Sequence, residues 1–383
     1  MDKPTVQDIF HRFYPAYLDQ YSPSPVQAKV AHNIMNCKTG AYGANVCVCE
    51  NCGFVQIHYN SCRNRCCPMC QAVPKEMWMD ARREDVLDAP YFHLVFMVPD
   101  ILNPVIYSNQ RLLYDALYHA ASSTISELTA DPKHLGAKVG YICILHTWGS
   151  EMNFHPHIHT ILLGGGLASN NQWKDNGENF FLPIRVISKM FRGKYLEELK
   201  RLWEEDKLVF HGTAEKFRNH YTFKELLDSC YGMDWIPHCK KTFNGAQTVI
   251  KYLGKYTHRI AVSNHRIVCM DDDTVTFLVK DYRNEGQWKE LTISGVEFVR
   301  RFLMHVPPRR FVRIRHYGLL CSRTKSQKLT LCRNLLGCKK YLSKLRDMEM
   351  PEILEHLYGI KVCVCKACGG HLGKPQMKMP LRC

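Results

Sequence analysis

Apolar positions recur along this chain with two periods, and the switches between them outline a fold. The run YFHLVFMV at residues 91–98 is aromatic and branched throughout and stops at Pro99, which predicts a buried strand. Residues 141–148 and 157–163 predict two more strands. The short segment between them, 149–156, makes an antiparallel hairpin the simplest connection. Gly164-Gly165-Gly166 is expected to end the second of these strands. Residues 187–203 and 244–258 repeat apolar side chains at three- and four-residue spacing and predict amphipathic helices, the latter with Asn244 as N-cap. Strands and helices mixed in this way predict an α+β core. Three regions are expected: residues 1–75 with a Cys-rich knuckle, a large middle unit at 76–345, and a small Cys-rich tail at 346–383. No internal repeat or low-complexity linker separates them.

Charge adds a partner to this picture. Lys and Arg number 51 against 36 Asp and Glu, a net charge of +15, which points to a polyanion, with nucleic acid ahead of an anionic membrane. The start, Met1-Asp2-Lys3-Pro4-Thr5, lacks the pattern of a signal peptide, and no apolar run reaches the length of a membrane span. A cytoplasmic protein with no membrane partner is therefore expected. In that reducing compartment 19 cysteines are better read as metal ligands and free thiols than as disulfides.

The cysteines cluster at the two ends. Cys49-x2-Cys52 and Cys67-x2-Cys70 are two close pairs with 14 residues between them, the spacing that brings four thiolates to one structural Zn2+. The neighbourhood holds further candidates, Cys47, His58, Cys62 and Cys66, so a second zinc or another choice of four, with Cys62 or Cys66, is open. In the tail, Cys365-x2-Cys368 followed by two glycines looks like half of a zinc ribbon, with Cys363, His371 and Cys383 nearby and its partner half undefined. Arg63 and Arg65, in the loop between the first pairs, suit contact with phosphate.

The segment HPHIHTILL at 155–163 carries the most distinctive chemistry. Alternate residues of a strand share a face, so His157 and His159 point the same way across apolar Ile158. A hairpin symmetric about residues 151 and 152 would set His146 opposite His157, making it the candidate third ligand of one metal ion. On the helix expected at 244–258, Tyr252 and Tyr256 fall on one flank with Thr248, Lys255 and Arg259, while Gln247 and His258 project to the opposite side. Taken alone, a His-x-His pair or two tyrosines at i and i+4 occur more often as structure and packing. A phenol needs a neighbouring cation to become a nucleophile toward a phosphodiester.

In order, YNSCRNRCCPMCQ, LHTWG, HPHIHTILLGGGL, YLGKYTHRIAVSNHR and RIRHYGLL make the chain resemble the rolling-circle transposases of the insertion sequence ninety-one type, in the HUH endonuclease superfamily, over nearly its whole length. It differs from related knuckles in having Cys66 where a histidine often follows Arg-Asn-Arg. The resemblance implies a central antiparallel sheet bearing the histidines, flanking helices, an N-terminal zinc-binding domain, and structural Zn2+. It also implies a catalytic Mg2+ or Mn2+ on His157 and His159, and Tyr252 and Tyr256 as nucleophiles that cleave and rejoin single-stranded DNA through a 5′-phosphotyrosine link. The implied partners are single-stranded DNA at transposon ends and target site and the host replication and unwinding machinery. Imidazole ligands by themselves suit zinc or another transition metal; the preference for Mg2+ or Mn2+ comes from the resemblance.

Arg309-Arg310 and Arg313-Ile314-Arg315, with aromatics interleaved, form a cationic stretch suited to single strands. Two other readings stay open: a replication initiator of the same superfamily, and a catalytically inactive zinc-ribbon DNA-binding protein. The acidic run at 271–273 reads as a polar turn between strands, so a three-carboxylate transposase is not indicated.

Overall fold

A computed structural model describes residues 3–176, 182–242, 249, 254, 260–281, 285–373 and 377–378. The expected helix at 244–258 therefore lies, apart from Val249 and Gly254, outside the described residues, and with it Tyr252, Lys255, Tyr256 and Arg259.

The middle of the molecule is an antiparallel sheet built from β3 (Tyr91–Met97), β4 (Lys138–Trp148), β5 (Phe154–Leu167), β6 (Trp173–Asp175), β7 (His238–Thr242) and β11 (Ile314–Gly318). The strand order is β11-β4-β5-β3-β7, with β6 paired to β5. Because neighbouring side chains alternate between faces, the two sides have different tasks. One side presents Phe92, Leu94, Phe96, Tyr141, Cys143, Leu145, Ile158 and Leu162 to a large core. That core is completed by α5 (Gln110–Ala130) and α6 (Ile184–Glu204), whose Ala120, Ala121, Phe191 and Tyr195 are fully buried. The other side presents Tyr91, Ile142, Ile144, Ile161 and Leu163 to a smaller cluster that includes Met79 of α3 (Ala72–Arg83) and Val249. The second side is also the histidine side.

The hairpin register agrees with the expectation: His146 lies opposite His157 and Leu145 opposite Ile158. The glycine triplet does not end β5. The strand runs on to Leu167, because at these positions other chain segments come too close for a side chain. A Cβ on Gly166 would lie 2.4 Å from the Lys138 carbonyl oxygen, and one on Gly164 2.9 Å from that of Pro90. Glycine here serves close approach within the sheet.

A second unit joins distant parts of the chain. Helices α1 (Val6–Gln20) and α2 (Pro25–Met35) open on capping boxes at Thr5 and Ser24, which satisfy their first backbone N–H groups. They pack on α8 (Gly295–Met304), with Phe10 edge-on to Phe302 at 5.2 Å between ring centres. Beneath them is the sheet β8 (Ile267–Met270), β9 (Thr274–Asp281) and β10 (Gln287–Ser294). Asp271 makes the turn from β8 to β9, accepting from the backbone N–H groups of Asp273 and Thr274. Burial thus links residues near the N-terminus with residues 260–306, across the chain-order division at residue 75.

The described part of the tail touches both the knuckle and α3. β1 (Ala44–Val48) pairs with β2 (Val55–Tyr59) on one edge and with β12 (Met377–Lys378) on the other. Asp80 of α3 meanwhile accepts hydrogen bonds from the hydroxyls of Tyr341 and Ser343 and the backbone N–H of Leu345.

Candidate active site and thiol clusters

Pleat and register bring three imidazoles together. His157 and His159 alternate with Ile158 on β5, and His146 faces them from β4, so the ligand nitrogens of all three lie within 4.8 Å of one another. The Nε2 atoms of His157 and His159 are 3.0 Å apart. All three side chains are buried. Burial drives the His157 imidazole down to about 3 and that of His159 well below its ordinary value, so both are neutral at physiological pH. Neutral imidazole is the metal-binding form.

Hydrogen bonds settle which nitrogen is offered. His157 Nδ1 lies 2.6 Å from the His155 carbonyl oxygen and donates its proton there, leaving Nε2 with a lone pair. His159 Nδ1 lies 2.9 Å from Nε2 of His93, a buried residue of β3. With its Nδ1–H donated to His93, His159 also turns Nε2 toward His157. His93 is the residue that sequence reasoning missed. Its signal was a histidine inside an otherwise apolar strand. Trp148 stacks on the third imidazole, His146, at 4.4 Å and 17°.

The donor set fits a divalent ion. Adjacent ligands of an octahedral ion with bonds of about 2.1 Å lie about 3.0 Å apart. Imidazole ligands bring no negative charge to the ion, so its charge would act on an anionic oxygen entering the remaining positions.

Among the described residues the cysteines form two groups of four, and neither is the expected quartet. Cys37, Cys62, Cys67 and Cys70 converge, and Cys49, Cys52, Cys365 and Cys368 converge. The two C-x2-C pairs of the knuckle therefore belong to different groups. Cys66 belongs to neither; it is buried in the core of the second unit beside Arg65 and Arg313. Sγ–Sγ separations of 3.4 Å for Cys37–Cys70, 3.6 Å for Cys62–Cys70, 3.5 Å for Cys49–Cys368 and 3.8 Å for Cys52–Cys365 match the edge, about 3.8 Å, of a tetrahedron with Zn–S bonds of about 2.3 Å. Backbone N–H groups of Asn64, Ala367 and Gly370 point at the sulfurs of Cys62, Cys365 and Cys368. The Cys52 backbone N–H, above all, holds the Cys49 thiol down to about 6. Such donors stabilise thiolate, the species a metal binds. Cys37 sits just after α2 and only the fold brings it to the knuckle.

The basic residues divide into two kinds. Arg65 donates to the carbonyls of Phe311 at 2.5 Å and Pro308 at 3.1 Å. Arg315 pairs with Asp115 and covers the Tyr118 ring at 4.0 Å. Arg313 lies 5.9 Å above the Trp148 ring centre. These three make contacts within the protein, although Arg65 is itself exposed, whereas Arg63, Arg309 and Arg310 are exposed and their side chains make no hydrogen bond or ion pair among the described residues.

Comparisons with known proteins follow the same pattern. Residues 140–328 match a family model described as "Putative transposase", and residues 9–98 match the IS91 model described as "Transposase zinc-binding domain". The chain is similar to "Putative transposase y4qJ" of Sinorhizobium fredii (strain NBRC 101917 / NGR234), with 40% identity over 95% of this chain and 93% of that protein. It is similar to "Transposase for insertion sequence element IS801" of Pseudomonas savastanoi pv. phaseolicola, with 30% identity over 79% of this chain and 72% of that one. Among solved structures, the conjugative relaxase TrwC in complex with oriT DNA aligns at 15% identity and a TM-score of 0.26, covering 45% of this chain and 65% of that one. Forty per cent identity along almost the full length outweighs any single motif, and the chain belongs to the IS91 family of transposases.

Proposed function

We propose that this transposase cleaves and rejoins single-stranded DNA by tyrosine transesterification at the histidine face. The observation that carries the reading is the buried His146–His157–His159 group, whose ligand nitrogens lie within 4.8 Å of one another. His146, His157 and His159 would hold Mg2+ or Mn2+, and the bound ion supplies Lewis-acid polarisation of the scissile phosphate. The phenolic oxygen of Tyr252 or Tyr256 attacks phosphorus, the bond to the 3′ oxygen breaks, and a 5′-phosphotyrosine and a free 3′-OH result. The phenol loses its proton to solvent and the departing 3′ oxygen gains one. Rejoining is the reverse attack by a 3′-OH. Lys255 and Arg259 favour the phenolate by charge.

Val249 and Gly254 support placing the tyrosines here. Both are helical, and Val249 is buried with Ile144 and Ile161, neighbours of the histidines on the same sheet face. Gly254 lies close against α3, where an added Cβ would meet the Met79 side chain. The two thiol groups would each hold a structural Zn2+, one bracing the knuckle on the second unit, the other closing the tail onto β1. The partners are transposon ends and target site in single-stranded form, opened by host unwinding machinery.

The test is a gel assay for covalent protein–DNA adducts, with labelled single-stranded DNA from the element's ends and Mn2+ or Mg2+. A metal-dependent adduct that disappears in Tyr252→Phe/Tyr256→Phe establishes the reaction. No adduct, despite tight binding of the same DNA, overturns it and favours a DNA-binding protein without nicking activity.

A further inference from the structure

A cleft of about 330 Å³ lies apart from the histidines, between α2, the loop at residues 64–66 and the turn at 306–310. Its volume is at the lower end of the range for small-ligand sites, roughly 300–1,000 Å³. Asn64, Cys66 and Arg65, the last bonded to the Pro308 and Phe311 carbonyls, form one wall. Val26, Val30, Val306 and Pro307 make an apolar floor, and Lys29, Arg309 and Arg310 make a cationic rim. No Asp or Glu lines it, and the three rim cations make no side-chain hydrogen bond or ion pair among the described residues. Elsewhere on this molecule surface arginines are commonly paired, as Arg201 is with Glu198 and Glu205. Three unpaired cations around an apolar recess repel one another and are complementary to an anion with a flat apolar part.

We propose that this cleft binds one nucleotide of the single strand, base against the floor and flanking phosphates on Lys29, Arg309 and Arg310. Cations that track the backbone are a general part of single-strand recognition, and here an aliphatic floor would take the base face by apolar contact. The cleft is also tied rigidly to the histidine strands. His305, adjacent to Val306, accepts from the Thr147 hydroxyl at 3.1 Å and donates to the Met152 carbonyl at 3.0 Å. Thr147 neighbours His146, so a nucleotide held here fixes the register of the strand presented to the histidines. The register role rests on the nicking reaction proposed above; the binding role does not.

The experiment is fluorescence anisotropy of the full-length protein with a labelled mixed-sequence single-stranded oligonucleotide at several salt concentrations, without divalent metal. Arg309→Ala/Arg310→Ala is expected to weaken binding roughly tenfold or more and to lower the salt slope by about 1.4, and Lys29→Ala by about 0.7, from 0.7 per phosphate contact. An oligonucleotide of the same length with abasic sites is expected to bind more weakly to the wild type and to lose less on substitution. Unaltered affinity and slope in both variants, with unaltered melting temperature, overturns the site. A lowered slope with equal affinity for abasic and intact strands overturns the nucleotide and leaves a phosphate contact only. Failure of the adduct assay with these binding changes intact would count against the nicking reaction alone.

Discussion

His93 Nε2 and His159 Nδ1 lie 2.9 Å apart across neighbouring strands, with their rings nearly parallel at 14°. The bond ties the tautomer of one candidate metal ligand to a residue that is not itself in the ligand group. Such outer partners typically matter about 10–100-fold in metal affinity. His93→Ala is therefore expected to weaken Mn2+ binding by about that factor, and His93→Gln, which keeps an acceptor, to restore part of it. Quenching of Trp148, stacked on His146, reports the titration. Equal affinity in wild type and His93→Ala would remove the positioning role.

Two tetrahedral thiol groups predict two zinc ions per chain by elemental analysis. Cys368→Ser is expected to remove one equivalent and to release the tail, seen as new protease cutting after residue 345. Cys37→Ser is expected to remove the other and to lower stability more, because Cys37 and Cys67 are also buried in the core of the second unit. Cys66→Ser should retain both ions, since Cys66 belongs to neither group.

Gly295, the first residue of α8, faces the ring of Phe13, and an added Cβ would fall 2.2 Å from it. Gly295→Ala is expected to destabilise the second unit by about 1–3 kcal/mol, the usual range for overpacking, and Phe13→Leu/Gly295→Ala to recover part of that. Thermal melts of the single and double variants check it.

Burial pushes His305 and His316 down to about 4, and both are neutral in the fold. Unfolded histidine takes up a proton near pH 6.5. Between about pH 6.5 and 4 the unfolded chain thus binds more protons, and stability falls as pH drops through that window. Above it these two groups contribute no pH dependence. The loss expected is on the order of a few kcal/mol for the pair, read as a melting temperature falling between pH 7 and pH 4.5. His305→Gln should flatten part of the slope.

The strands, the hairpin and the histidine group were legible because each rests on local periodicity. Alternation put His157 and His159 on one face, and the short connection after Trp148 brought in His146 by register. The expected end of β5 at the glycines failed because whether glycine breaks a strand or lets another segment pass depends on what lies beside it, here Pro90 and Lys138.

What the amino-acid order determined by itself is whatever short-range geometry dictates: an α+β chain, a His-x-His face, cysteines paired at metal spacing and a cationic surface. What only the tertiary structure decided is which of these elements meet. Cys49 and Cys368 lie 319 residues apart in sequence, yet their sulfurs are 3.5 Å apart. Arg65 looked free for DNA but is held by the carbonyls of Pro308 and Phe311. His93 became a partner of His159 only through strand pairing. Thiolate tetrahedra, buried hydrogen bonds and cation clefts are built from groups distant in the chain, and the contacts that select among equivalent cysteines or arginines come from packing, to which local pattern is blind.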